Sequence, residues 1–246
     1  MVEQSLEIRT PDGVSDAILY RADDGRTQPG VIHLTDIGGI RPSHQKMARR
    51  LAEAGYTVLL PNVFYRTGKP PMFNFTPTMG EERTMKRFAE LASPMTPEAT
   101  ERDAAAYVDF LGAQKSVGSG RIGVVGHCFT GGMAMRAAAV RPERVGAAAS
   151  FHGGGLYTNA PTSPHLVLSR VKGELYFGHA VNDQSMPADA IKKLEQALAA
   201  WGGKYQSETY DGALHGWTTP DAPVYNAAQA ERAFEKLSAL FARTLK

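Results

Sequence analysis

The stretch Val124-Val125-Gly126-His127-Cys128-Phe129-Thr130-Gly131-Gly132 decides how this chain is read. The apolar run 122–125 has the length and composition of a buried strand. It ends in a glycine, and a residue able to act as a nucleophile stands two positions on. Small residues then lead into a helical pattern over 133–140. A strand that turns sharply into a helix holds one side chain out at the tip of the turn. The backbone is so tight there that the neighbours must be small. That is the physics of a nucleophile elbow, here with cysteine where serine is commoner. Cys128 is also the single cysteine of 246 residues, which excludes an internal disulfide and any four-cysteine zinc pattern.

Outward from this turn, strand-like and helix-like segments alternate. Strands are expected over 6–9 and 17–20 (an opening hairpin about Pro11-Asp12-Gly13), 31–35, 57–60, 122–125, 146–151, 174–177 and 205–210. Helices are expected over 45–54, 81–91, 97–111, 133–140, 187–201 and 224–245. Ser43 is the expected N-cap of the first helix and Gly55 its stop; Gly202-Gly203 close the fifth. Alternation of this kind implies an α/β fold, a mostly parallel sheet with helices on both faces. The irregular piece 62–80 carries Phe64, Phe73 and Phe75 among three prolines and is a candidate lid or pocket wall. No linker, repeat or low-complexity tract divides 1–246, so one domain is expected.

Composition narrows the class. Apolar residues make up 43%, enough for a sizeable core. Lys plus Arg number 27 against 25 Asp plus Glu, a formal charge of +2, and no basic run occurs, so no nucleic-acid partner is expected. No apolar stretch approaches the roughly 18 residues of a membrane span. The opening Met1-Val2-Glu3-Gln4-Ser5 lacks a charged and then apolar leader, so a cytoplasmic protein with no membrane partner is expected. Neither metal-spaced histidines nor a phosphate-binding glycine loop is present, so no metal and no cofactor are expected. Nothing in the sequence indicates an oligomeric state.

In such sheets, sites lie beyond the carboxyl ends of the strands. Four ends carry chemistry-bearing residues. Cys128 is the candidate nucleophile; a helix N-terminus and a nearby histidine both favour its thiolate. Asp183, in His179-Ala180-Val181-Asn182-Asp183, is placed to orient an imidazole. His215, flanked by Leu214 and Gly216, supplies that imidazole. The chain order nucleophile, acid, histidine is that of α/β-hydrolases. Asp36 follows the strand 31–35, as a turn residue or a carboxylate beside the thiol. The amides of Ile37 and Phe129 are candidate oxyanion donors. His127, His152 and Trp217 are candidate pocket residues.

With these motifs in place, the chain resembles the dienelactone hydrolase family. The resemblance runs through 31–39, 55–64, the elbow, His179–Asp183 and Leu214-His215-Gly216-Trp217. It implies an α/β-hydrolase fold and a Cys-His-Asp enzyme that opens a cyclic enol ester, a dienelactone, to maleylacetate. It further implies a glutamate beside the resting thiol, where this chain has Asp36, and arginines for the substrate carboxylate. Arg83 stands for one of these; no arginine follows His215, where Trp217-Thr218-Thr219-Pro220 stand. Thr130 occupies a position that is usually glycine. The expected function is hydrolysis of a small-molecule lactone or activated ester through a thioester on Cys128. The alternatives are a general carboxylesterase or thioesterase on the same residues, and a non-catalytic ligand-binding or redox-sensing protein.

Overall fold

The computed structural model describes residues 1–245. Eight strands form one sheet in the order β1-β2-β4-β3-β5-β6-β7-β8. The strands are β1 (Val2–Thr10), β2 (Gly13–Arg21), β3 (Gly30–Leu34), β4 (Thr57–Pro61), β5 (Ile122–His127), β6 (Val145–Phe151), β7 (Glu174–His179) and β8 (Tyr205–Thr209). The hairpin β1–β2 joins β4 antiparallel, and every pairing from β4 to β8 is parallel. Between them lie α1 (Pro42–Glu53), α2 (Glu82–Ala92), α3 (Pro97–Gly112), α4 (Gly131–Val140), α5 (Ala188–Trp201) and α6 (Ala227–Thr244).

The central strands are apolar throughout because both faces are covered. Within β5, Val124 faces one core cluster with Val108 of α3, Ala137 of α4 and Leu194 of α5. Its neighbour Val125 faces the other cluster, with Leu51 of α1 and Leu237 and Phe241 of α6. Period-two alternation in the strands thus distributes side chains to two helical layers.

The boundaries depart from the expected ones where local chemistry competes with periodicity. Helix α1 begins at Pro42 with Arg41 at the N-cap position, so Ser43 lies inside the first turn rather than capping it. Proline at the first helical position gives up no hydrogen bond and fixes the start. Gly55 stops the helix as expected, at φ 96°. Helix α6 begins at Ala227, not at 224, because the Asn226 side chain accepts from the Gln229 amide at 3.2 Å. The sequence reading missed the 3-10 helix Pro164–Arg170, which has no amphipathic period to announce it. Residues 62–80 form turns and irregular chain, as expected.

Candidate active site

The elbow is built by close packing. Cys128 lies directly after β5 at φ 53°, in the left-handed region, and opens a single 3-10 turn into α4. A Cβ on Gly126 would sit 2.4 Å from the carbonyl oxygen of Thr130, and one on Gly131 would sit 2.3 Å from Ser150 Oγ. Side chains cannot be accommodated at either position. Thr130 tightens the turn: its hydroxyl accepts from the His127 amide at 3.0 Å and donates to the His127 carbonyl at 3.2 Å.

Three of the expected residues meet at the carboxyl rim. His215 Nδ1 donates to Asp183 Oδ2 at 2.7 Å, and His215 Nε2 lies 3.0 Å from Cys128 Sγ. The second oxygen of Asp183 accepts from the amide and the hydroxyl of Ser185, at 2.8 and 2.7 Å. Ser185 also reaches His215 Nδ1 at 3.2 Å. Burial works against charge on His215, but its hydrogen bonds to Asp183 and Cys128 prevail and push it up to about 10. Burial raises the Asp183 carboxyl, and bonding to His215 and Ser185 outweighs this and leaves it below the usual carboxylate range. The ring is therefore held as an imidazolium between sulfur and carboxylate, with its Nδ1 proton committed to Asp183.

The amides of Ile37 and Phe129 donate to no protein acceptor among the described residues. Ile37 follows β3 and lines the same cavity as Cys128, and Phe129 follows Cys128 in the chain.

Asp36 does not pair with the thiol. Its carboxylate accepts from Arg41 at 2.6 and 2.8 Å and from the Gly38 amide at 2.8 Å, and it lies 3.2 Å from His44 Nε2. Burial works against its charge, but His44 and Arg41 hold it well below the usual carboxylate range. The aspartate is one methylene shorter than glutamate, and the arginine five residues on has captured it.

Arg83 lies off the site. Its guanidinium stacks 3.8 Å above the Phe75 ring and reaches Asn74 at 3.3 Å. Trp217 is fully buried and does not line the cavity over Cys128; it packs edge-on against His152 and Phe151 from behind. His152 does line the cavity, at φ 41°, with its Nε2 bonded to Thr218 Oγ1 at 2.7 Å. His127 points to the other side of the sheet rim, where Nδ1 meets the same hydroxyl at 3.1 Å.

The cavity over Cys128 has a volume of about 550 Å³. Its apolar wall is made by Ile37, Ile40 and Phe88 with Met72, Phe73 and Phe75 of the irregular segment, and Asp36, Arg41, His152, His215 and Asp221 line the rest. That segment is thus a pocket wall. Phe64 is buried beneath it against Phe129.

Arg41 lines the cavity too, and the sequence reading missed it. All five of its N–H groups are taken. Asp36 and Asp221 receive two each, and the Gly39 carbonyl, at 3.4 Å, receives the fifth. Ser185 and Thr218, the hydroxyls that position the acid and His152, were also missed. The signal for Ser185 was its place two residues after Asp183, the spacing of an Asx turn. Among the described residues no three His, Cys, Asp or Glu side chains are arranged to hold a metal ion.

A mostly parallel sheet of this order, with a thiol on the elbow after its central strand and an imidazole–carboxylate pair on the loops after β8 and β7, defines an α/β-hydrolase. The family follows from comparison: the dienelactone hydrolase family model matches residues 15–245, and the chain belongs to that family of ester-bond hydrolases. A carboxymethylenebutenolidase of Rhodococcus opacus is 29% identical over 242 residues, covering 96% of this chain and 90% of its own. A Klebsiella pneumoniae protein provisionally named a dienelactone hydrolase superposes with a TM-score of 0.86 over 98% of both chains, at 20% identity. A dienelactone hydrolase-like promiscuous phosphotriesterase from metagenomic libraries gives 0.80 over 100% of this chain and 99% of its own, at 19% identity. No helix among the described residues is long and apolar enough to cross a membrane.

Proposed function

We propose that the protein hydrolyses lactones or activated enol esters whose acyl part is uncharged and apolar, using Cys128, His215 and Asp183 and a thioester intermediate. The carrying observation is the 3.0 Å contact between Cys128 Sγ and an imidazole whose far nitrogen is bound to a buried carboxylate. The thiolate attacks the carbonyl carbon, and the amides of Ile37 and Phe129 receive the developing oxyanion. Each such donor lowers the barrier by about 3 kcal/mol. The C–O bond breaks, and the enolate leaves with the proton of His215 Nε2. His215, now neutral, takes a proton from water as the hydroxide adds to the thioester. Collapse expels the thiolate and restores the ion pair.

Substrate charge follows from Arg41. Besides the His215 imidazolium it is the one cation on the described cavity wall, and its donors are spent on Asp36, Asp221 and Gly39. A carboxylate on the substrate would meet two aspartates and no free donor from that side chain. Aromatic or alkyl groups would meet Phe73, Phe75 and Phe88.

The test is a panel of neutral and carboxylate-bearing lactones and enol esters, run on wild type and on Cys128→Ala. Neutral members should be turned over with the higher kcat/KM. Cys128→Ala should lose about 10³-fold or more, and Cys128→Ser should keep a small remainder. Mass spectrometry of quenched wild-type reactions should show the acyl group on Cys128. Undiminished turnover by the alanine variant would refute the mechanism, and equal efficiency on charged members would refute the assigned substrate class.

A further inference from the structure

Behind the catalytic rim lies a second cavity of about 310 Å³, between α1 and α6. Its walls are Met47 and Leu51 of α1, Ala233, Phe234 and Leu237 of α6, and Phe151. Two histidines reach it from the sheet: His33 of β3 and His127 of β5. Both are buried, and nothing in the proposed ester chemistry uses either.

Two features mark this as a built site rather than a packing gap. First, His33 Nε2 is bound to His44 Nδ1 at 2.9 Å, whereas its Nδ1 is a fully buried ring nitrogen with no partner. An orphaned buried polar atom is costly, and a bound hydrogen-bonding group would relieve it. Second, the cavity carries two cations that differ in availability. Arg50 is neutralised by both oxygens of Glu231, at 2.6 and 2.7 Å, and lies 3.6 Å above the Phe234 ring. Lys46 has no carboxylate partner among the described residues, and it lines the same cavity.

We propose that this cavity binds a compact amphipathic carboxylate, an aryl- or short alkyl-carboxylic acid. The carboxylate would meet Lys46, the apolar body would lie between Leu51 and Leu237, and one polar group would serve His33. The volume falls at the lower end for small-ligand pockets, so long acyl chains are excluded. The site is separate from the catalytic cavity but shares a wall with it, because Thr218 Oγ1 joins His127 on one side to His152 on the other.

The experiment uses 4-phenylbutanoate as probe and the full chain, with Cys128 first alkylated by iodoacetamide so that binding over the thiol is blocked. Calorimetric titration should show saturable one-to-one binding that alkylation leaves intact. 4-Phenylbutanol, which lacks the charge, should bind more weakly. Lys46→Gln should weaken the acid about fivefold, the effect of one partly exposed ion pair, without weakening the alcohol. Ala233→Met, which fills the cavity, should remove binding of both. Circular dichroism and retained ester turnover check that each variant is folded. Lys46 is a helix-surface residue, so its variant carries the test even if Ala233→Met fails to fold. Absence of saturable binding, loss of binding on alkylation, or equal affinity of Lys46→Gln for the acid would each overturn the proposal.

Discussion

At Cys128 a left-handed residue other than glycine costs about 1–2 kcal/mol. That strain is held by the Thr130 latch and by glycines on which no side chain fits. The geometry it maintains has value only if the imidazole opposite keeps one tautomer. Asp183 supplies that constraint, since its Oδ2 takes the Nδ1 proton while Ser185 occupies Oδ1. Asp183→Asn should therefore lower kcat on a neutral ester by about 10²–10⁴-fold with little change in KM, measured on protein whose circular dichroism matches wild type. Activity within a few-fold of wild type would remove Asp183 from the assigned role. Cys128, Asp183 and His215 were legible in the sequence because each lies on the turn or loop that follows a strand, and topology brings those strand ends together. Arg83 and Trp217 were misplaced because sequence does not reveal on which side of a wall a side chain lies. Arg41 was invisible for a different reason. Its importance comes from two aspartates, one of them 180 residues away, that use up its donors.

At the scale of elements, α6 closes the sheet together with α1 on the side away from α3, α4 and α5. Phe241 of α6 lies directly beneath Gly123 of β5, where a Cβ would come within 2.6 Å of its ring, and it meets Tyr56 edge-on. Phe241→Ala should lower stability by about 3–5 kcal/mol, read as a lower urea midpoint at unchanged slope. Gly123 is five residues before Cys128, about 16 Å along the strand, so kcat of the folded fraction should stay near wild type. A midpoint equal to wild type would show that the interface relaxes around the missing ring. The existence and type of these strands and helices were readable because the doubly covered strands are uniformly apolar and the covering helices carry one apolar stripe. Their ends were less readable. Pro42 and Asn226 fix helix starts through hydrogen-bond bookkeeping that periodicity does not record.

Across the whole molecule, histidine rings, all buried except His215, form a connected series beneath the carboxyl rim. Neighbouring centroids are 5.2 Å apart from His44 to His33, 5.0 Å from His33 to His127, 5.8 Å from His127 to His152 and 5.2 Å from His152 to His215. Burial, reinforced by neighbouring rings, drives His33 and His127 well below the ordinary histidine value, and His152 down to about 3. Burial alone takes His179, on β7, down to about 4. For these four groups the folded value lies below the unfolded one of about 6.5. The unfolded chain then takes up protons that the folded chain refuses as pH falls below about 6.5, so stability must fall. Each therefore lowers stability as pH falls below about 6.5, His179 until about pH 4 and His152 until about pH 3. The other shifted groups of the site are silent in that window. The contribution of His215, raised to about 10, is fully present below 6.5 and is lost progressively as pH climbs from there through 10. Those of Asp36 and Asp183, both lowered, are present above about 3.8 and lost only in stronger acid. Urea unfolding at a series of pH values should thus give a midpoint that drops steeply between pH 6.5 and 4.5. A midpoint constant down to pH 4.5 would mean that these rings are not held neutral in the folded protein.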